Sequence, residues 1–232
     1  QTRTQTTTNV TSTVNATSQL IGVAGGAPAS GSPFGTGLRA GTGTGASFYG
    51  TGGNARRIAY IVDASGSLMD SLPFVIDELK RSINELVDAQ SFTVIFFQGD
   101  RYIEVPPYGL KTADGETKRR VSEWIDLGSG NIVPGKKTNP IPAMKRALSY
   151  KPQLMFLLSD NITGQGKYEI EQKYLITQIE QSNTAKTKIN TIQVMYPDTM
   201  AASGLRPTMQ QIADDTGGIY KFVSPQELGL QY

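Results

Sequence analysis

Short strand-like runs recur along the last three quarters of this chain, most of them followed by a stretch of helical periodicity. Ile58-Ala59-Tyr60-Ile61-Val62 and Leu154–Leu158 are wholly apolar, while Phe92–Phe97, Ile189–Met195 and Ile219–Val223 are largely apolar with Thr93, with Asn190, Thr191 and Gln193, and with Lys221 among them. An uninterrupted apolar run is how a strand covered on both faces reads. The intervening stretches carry apolar residues at three- and four-residue steps, most clearly from Ser71 to Ala89, where Leu72, Val75, Ile76, Leu79, Ile83, Leu86 and Val87 form one stripe. Pro73 falls in the first turn of that helix, where a missing amide costs little. Strands alternating with helices predict an α/β fold: a doubly wound, mainly parallel sheet with helices on both faces.

One pair of strands departs from the pattern. Phe92–Phe97 and Arg101–Val105 are joined only by the tight turn at Gly99-Asp100, too short for a parallel crossover, and predict one antiparallel edge strand. Further helices are expected over 115–126, around Ala143–Leu148, over 168–181 and over 208–216. Trp124 is expected in the core.

The first quarter differs in composition. Residues 1–17 are rich in Thr, Gln and Asn, and 24–53 in Gly, Ser, Thr and Ala. Such a segment buries too little apolar surface to offset its ordering entropy. The expected organisation is a Thr/Gly/Ser-rich N-terminal arm or linker over 1–54 and one folded domain over 55–232. Phe48 and Tyr49 are expected to dock the arm onto the domain. The β propensity of the Thr-rich run suits strand addition to a neighbour, so the arm is a candidate element of a homo-oligomer.

Composition excludes several chemistries. The 232 residues contain neither Cys nor His, which removes disulfides, thiolate metal sites, a cysteine nucleophile and the usual base of a serine hydrolase. A net charge of +2, with scattered basic residues, does not suggest a nucleic-acid surface. No apolar run has the length of a membrane span, and no signal-peptide pattern opens the chain at Gln1. Two glycine-rich stretches fail as phosphate loops. Gly41–Gly45 follows no strand, and the Gly130 to Gly135-Lys136 stretch has Lys137 where Ser or Thr is required.

Candidate chemistry sits at the carboxyl ends of the strands, where open α/β sheets place their sites. Asp63, Ser65 and Ser67 alternate along a tight turn after the first strand, with Gly66 permitting the bend. Thr138 precedes a helix, and Asp160 repeats the position of Asp63 after Leu154–Leu158. Each could serve only as a helix cap or turn former. Together they offer carboxylates and hydroxyls alone, a donor set suited to a hard cation such as magnesium.

The pattern Asp63-x-Ser65-x-Ser67 after an apolar strand, with Thr138 and Asp160 in order behind it, resembles the metal-ion-dependent adhesion site of von Willebrand factor type A domains. The likeness covers about Arg57 to Val223. It implies Ser65, Ser67 and Thr138 as direct ligands of Mg2+ (or Ca2+ or Mn2+), with Asp63 and Asp160 acting through water. It further implies a non-enzymatic module that binds an Asp or Glu of a protein partner outside the cytoplasm, at a cell surface, secreted or periplasmic. Asp70 lies where some members hold an adjacent ion, although capping of the following helix with Ser71 explains it more simply. Lys136 and Lys137 depart from the pattern, since cations beside a divalent ion repel it; Lys137 is therefore an accessory candidate that attracts an acidic partner or replaces the metal. The alternative is a structural subunit of a homo-oligomeric or filamentous surface assembly held by the arm.

Overall fold

The computed structural model describes residues 45–135, 138–163, 170–198, 200 and 204–230. Their architecture is the expected α/β sandwich. A seven-stranded sheet runs in the order β5-β4-β3-β7-β8-β9, with β6 paired to β4. The strands are β3 (Arg57–Asp63), β4 (Ser91–Gln98), β5 (Arg101–Glu104), β6 (Lys111–Thr112), β7 (Leu154–Ser159), β8 (Lys188–Val194) and β9 (Tyr220–Val223). β3, β4, β7, β8 and β9 are parallel, whereas β5 and β6 both pair antiparallel with β4. The second antiparallel strand, β6, has only two residues, too few to leave a periodic signal.

The helices are α1 (Leu72–Glu85), α2 (Gly115–Trp124), α3 (Ile141–Ser149), α4 (Gln172–Ser182) and α5 (Thr208–Thr216). Two apolar cores form, one on each sheet face. Tyr60, Val62, Phe156 and Leu158 meet α1 and α2 on one face, while Ala59, Ile61, Met155 and Leu157 meet α3, α4 and α5 on the other. This split follows from the two-residue period of a strand. Trp124 is partly buried against the first core.

The α1 stripe packs inward as its spacing requires, but the helix stops at Glu85 rather than Ala89. Leu86 turns extended (ψ 151°). The Gln90 side chain accepts from Val87 N (2.9 Å) and donates to Ala55 O (2.7 Å), so a side-chain-bonded turn replaces the last helical turn. Ser71 occupies the N-cap position, yet its hydroxyl donates back to Leu68 O at 3.1 Å. The capping role expected of Asp70 and Ser71 is therefore not what the N-cap hydroxyl does.

The last residues of the expected arm form a hairpin, β1 (Ala46–Phe48) and β2 (Thr51–Gly53). Tyr49 (φ 48°) and Gly50 (φ 72°) make its two-residue left-handed turn. Phe48 is fully buried, edge-on to Tyr60 and Phe156, whose rings stack at 5.2 Å. Glu78 of α1, itself buried, accepts from Tyr49 N at 2.8 Å, and Ser82 donates to Ser47 O. The hairpin is thereby pinned to α1 by polar bonds as well as by aromatic packing. On the far side of the sheet's last crossover, a Cβ at Gly218 would lie 1.9 Å from Ile189 O. Only glycine fits that approach.

Candidate functional site

β3 is the first strand of the large sheet in chain order. β4 lies on one side of it and β7 on the other, so the strand order reverses between β3 and β7. That is where a doubly wound sheet leaves a crevice beyond its carboxyl ends. Asp63 closes β3 and Ser159 closes β7, one rung past the paired Val62 and Leu158. Both share the parity of Ile61 and Leu157 and therefore point to the face covered by α3. Thr138 lies three residues before α3 on the same face.

The geometry follows from those placements. The Asp63 carboxylate is fully buried and accepts three bonds: Ser65 N to Oδ1 at 2.8 Å, Thr138 Oγ1 to Oδ2 at 3.3 Å, and the Ser159 hydroxyl to Oδ2. Ser65 and Ser67 place their hydroxyl oxygens 3.0 Å apart across the turn. Ser65 is buried, while Ser67 is exposed, so the hydroxyl pair runs from the interior to solvent. Two backbone bonds fix the turn: Ala64 N donates to Phe97 O at 2.9 Å, and Gly135 N donates to Ala64 O at 3.1 Å. The second joins the loop before α3 to the loop after β3.

Asp160 is buried after β7, with Oδ1 accepting from Asn161 N at 2.6 Å and its carbonyl accepting from Gln193 Nε2 at 3.1 Å. Burial pushes the Asp63 carboxyl up to about 7; the bonds from Ser159 and Ser65 oppose the rise, and the Asp160 charge adds to it. A cation in the crevice would relieve the buried Asp63 carboxylate.

The structure therefore brings together Asp63, Ser65, Ser67 and Thr138 by direct hydrogen bonds, and places Asp160 close enough to act on Asp63 through its charge. Asp70 is exposed two residues before α1. Lys137 lies outside the described residues, as does Lys136. Ser159 was missed in the sequence, although its parity with Met155 and Leu157 marks it as facing the α3 side. Among the described residues no group of three or more His, Cys, Asp or Glu converges. The crevice is instead mostly hydroxyl, with oxygen the only donor element. This set fits a hard divalent cation, and Ser65, Ser67 and Thr138, with Asp63 and Asp160 behind them, are the residues that would hold one.

No protein-family model matches the chain, and no curated protein does. Among solved structures, it is similar to a von Willebrand factor type A protein from Catenulispora acidiphila at 16% identity and a TM-score of 0.56, over 77% of this chain and 41% of that one. It is also similar to the pilus adhesin SpaC from Lactobacillus rhamnosus GG at 13% identity and a TM-score of 0.55, over 74% of this chain and 29% of that one. The open conformation of SpaC matches with a TM-score of 0.54. The chain spans less than half the length of each of these proteins. At such identities the likeness is one of architecture: the chain has the von Willebrand factor type A fold.

Proposed function

We propose that this chain is a non-enzymatic interaction module that grips an acidic group of a protein partner through a divalent cation held in the crevice. The observation that carries the reading is the bond from Thr138 Oγ1 to Asp63 Oδ2, which unites two loops 75 residues apart around one buried carboxylate. When bound, magnesium would supply a hard electrophilic seat for an outside carboxylate. Ser65, Ser67 and Thr138 would contact the ion as neutral oxygens, and Asp63 and Asp160 would hold charge behind them. Ser159 positions Asp63 by donating to the oxygen that Thr138 also contacts.

No base with a bound nucleophile is part of this reading, so the module binds without turnover. Among the described residues no helix is long and apolar enough to cross a membrane. The pilus-adhesin likeness supports an extracytoplasmic setting, at a surface or secreted. Calorimetric titration of Mg2+ into the protein and into its Asp63→Ala variant tests the reading, with binding expected in the first only.

A second reading is a structural subunit of a homo-oligomeric or filamentous assembly held by the arm over 1–54; within that span the hairpin is bonded to α1 of its own chain through Glu78 and Ser82. Residues 1–54 contain two Arg and no Asp or Glu. An arm from a neighbouring copy thus cannot provide the acid that the crevice would bind, and the two contacts would use separate surfaces. Particle size of the full chain against a chain lacking residues 1–44 tests the arm: an unchanged large assembly eliminates it.

A further inference from the structure

The bond from Thr138 Oγ1 to Asp63 Oδ2 is 3.3 Å long, at the weak end for a hydroxyl donor, so it does not by itself fix where Thr138 stands in the crevice. Its chain neighbours do. Upstream, Gly135 N donates to Ala64 O at 3.1 Å; immediately downstream, Asn139 Nδ2 donates to Asp100 Oδ1 at 2.7 Å. We infer that the bond between Asp100 and Asn139 positions Thr138 for the cation and raises the preference of the site for magnesium over calcium. The inference rests on the cation reading of the crevice and adds to it two positioning residues and the choice of ion.

Asp100 stands on a firm platform. It shares the tight turn between β4 and β5 with Gly99, which takes the left-handed φ of 55°, and Gln98 and Arg101 pair across that turn. Asn139 has no freedom to turn its amide round. Its Oδ1 accepts from Ile141 N at 3.1 Å, the first amide of α3, and a backbone N–H can only donate, so oxygen must face the helix and Nδ2 must face Asp100. One flat group is therefore held at both ends, between a hairpin turn and a helix entrance, and Thr138 is its chain neighbour. Adjacent Cα atoms are ~3.8 Å apart, which limits how far Thr138 can stray from that anchor.

The same hairpin holds α3 farther along. Glu104 of β5, a buried residue, accepts from Arg146 Nε at 2.8 Å and from the Tyr150 hydroxyl at 2.8 Å. These bonds keep the body of α3 in place when its entrance is disturbed, so breaking the Asp100 bond loosens Thr138 rather than the helix. The cost falls unequally on the two ions. Magnesium is small and demands near-ideal octahedral geometry, whereas calcium takes more oxygens at longer distances in flexible arrangements. A hydroxyl slightly out of place therefore fails magnesium first.

Calorimetric titration of Mg2+ and of Ca2+ into the full chain and into its Asp100→Ala and Asp100→Asn variants tests the inference. Asp100 is exposed, so both variants should fold, and melting curves verify it. Asp100→Asn removes the charge but keeps an oxygen that accepts from Asn139 Nδ2; Asp100→Ala removes both. Asp100→Ala is expected to bind Mg2+ about tenfold more weakly, the size of loss when a group supporting a ligand is deleted, and Ca2+ less than about threefold more weakly. Asp100→Asn should stay within about twofold of the parent for both ions, since an exposed charge is screened by salt. In a Thr138→Val background, Asp100→Ala should cause no further loss, because it acts through that hydroxyl. Equal losses in the two Asp100 variants, equal losses for the two ions, a further loss in the Thr138→Val background, or parent-like binding by Asp100→Ala each overturns the positioning and leaves the cation reading standing. A parent chain that binds neither ion overturns the cation reading, and the positioning with it.

Discussion

Thr138 Oγ1 donates to Asp63 Oδ2 at 3.3 Å, joining the entrance of α3 to the end of β3. Each residue alone suits an ordinary cap or turn; bonded to one another, they define a crevice with a wall on each side. Thr138→Val keeps the branched shape and deletes the hydroxyl. The expected result is a stability loss of about 1 kcal/mol from the lost hydrogen bond and at least a tenfold weaker magnesium affinity. Denaturant melts and calorimetric titration of the same preparation measure the two effects separately.

Glu78 is the polar pin of the hairpin. Its Oε1 accepts from Tyr49 N at 2.8 Å, and its Oε2 accepts from Arg81 Nε at 2.8 Å. Glu78→Ala removes the acceptor of the buried Tyr49 amide and one of the two carboxylates that Arg81 pairs with, Glu85 being the other, and should cost about 1–3 kcal/mol. Urea unfolding gives the value, and protease cleavage near Tyr49 should accelerate. A variant with unchanged midpoint and cleavage rate would show that the Ser82 bond and aromatic packing hold the hairpin without Glu78.

Lys111 provides a pH signature remote from the crevice. The side chain is buried, its Nζ donates to Val105 O at 2.9 Å, and burial pushes its pKa down to about 8, with the Glu104 charge opposing. Its ordinary pKa is about 10.4. Between these values the unfolded chain holds more protons than the folded one, so this group makes stability rise with pH from about 8 to about 10. Lys111→Met should flatten that rise. Unfolding midpoints collected across the window decide it, and an unchanged slope in the variant would place the proton elsewhere.

Gly218 should be irreplaceable for steric reasons. An added Cβ would meet Ile189 O at 1.9 Å and Asn190 N at 3.0 Å, both backbone atoms that cannot step aside. Gly218→Ala must separate the entry to β9 from β8, with an expected loss above about 2 kcal/mol, the range of steric clash in packed interiors. Gly115→Ala, with open space around the added carbon, is the control and should leave the melting temperature nearly unchanged.

Much of this architecture was legible because buried parallel strands leave unmistakable runs. Tyr60 and Phe156 face one core and Ile61 and Leu157 the other by parity alone. Asp63 and Asp160 announce themselves as acids ending such runs, Ser65 and Ser67 follow from alternation, and Thr138 stands out only through the family resemblance. Ser159 is hidden in the sequence because it reads as part of the polar loop that ends Leu154–Leu158, and only the pairing of β3 with β7 shows that it meets Asp63. The hairpin was only half legible. Phe48 and Tyr49 signalled docking, but strands of three residues rich in Gly and Thr carry no period, and the partner that fixes them, Glu78, lies 29 residues from Tyr49. The end of α1 was misjudged because Leu86 and Val87 continue the stripe, while the Gln90 side chain takes over the backbone there.

The crevice is tested most directly by titrating magnesium calorimetrically, near neutral pH, into protein stripped with chelator, alongside Asp63→Asn and Ser65→Ala variants whose melting curves verify their folding. One saturable site in the parent chain, absent in Asp63→Asn and at least tenfold weaker in Ser65→Ala, is the expected outcome. Heats in the parent chain no larger than dilution, or an isotherm that both variants reproduce, would contradict a cation held by these oxygens.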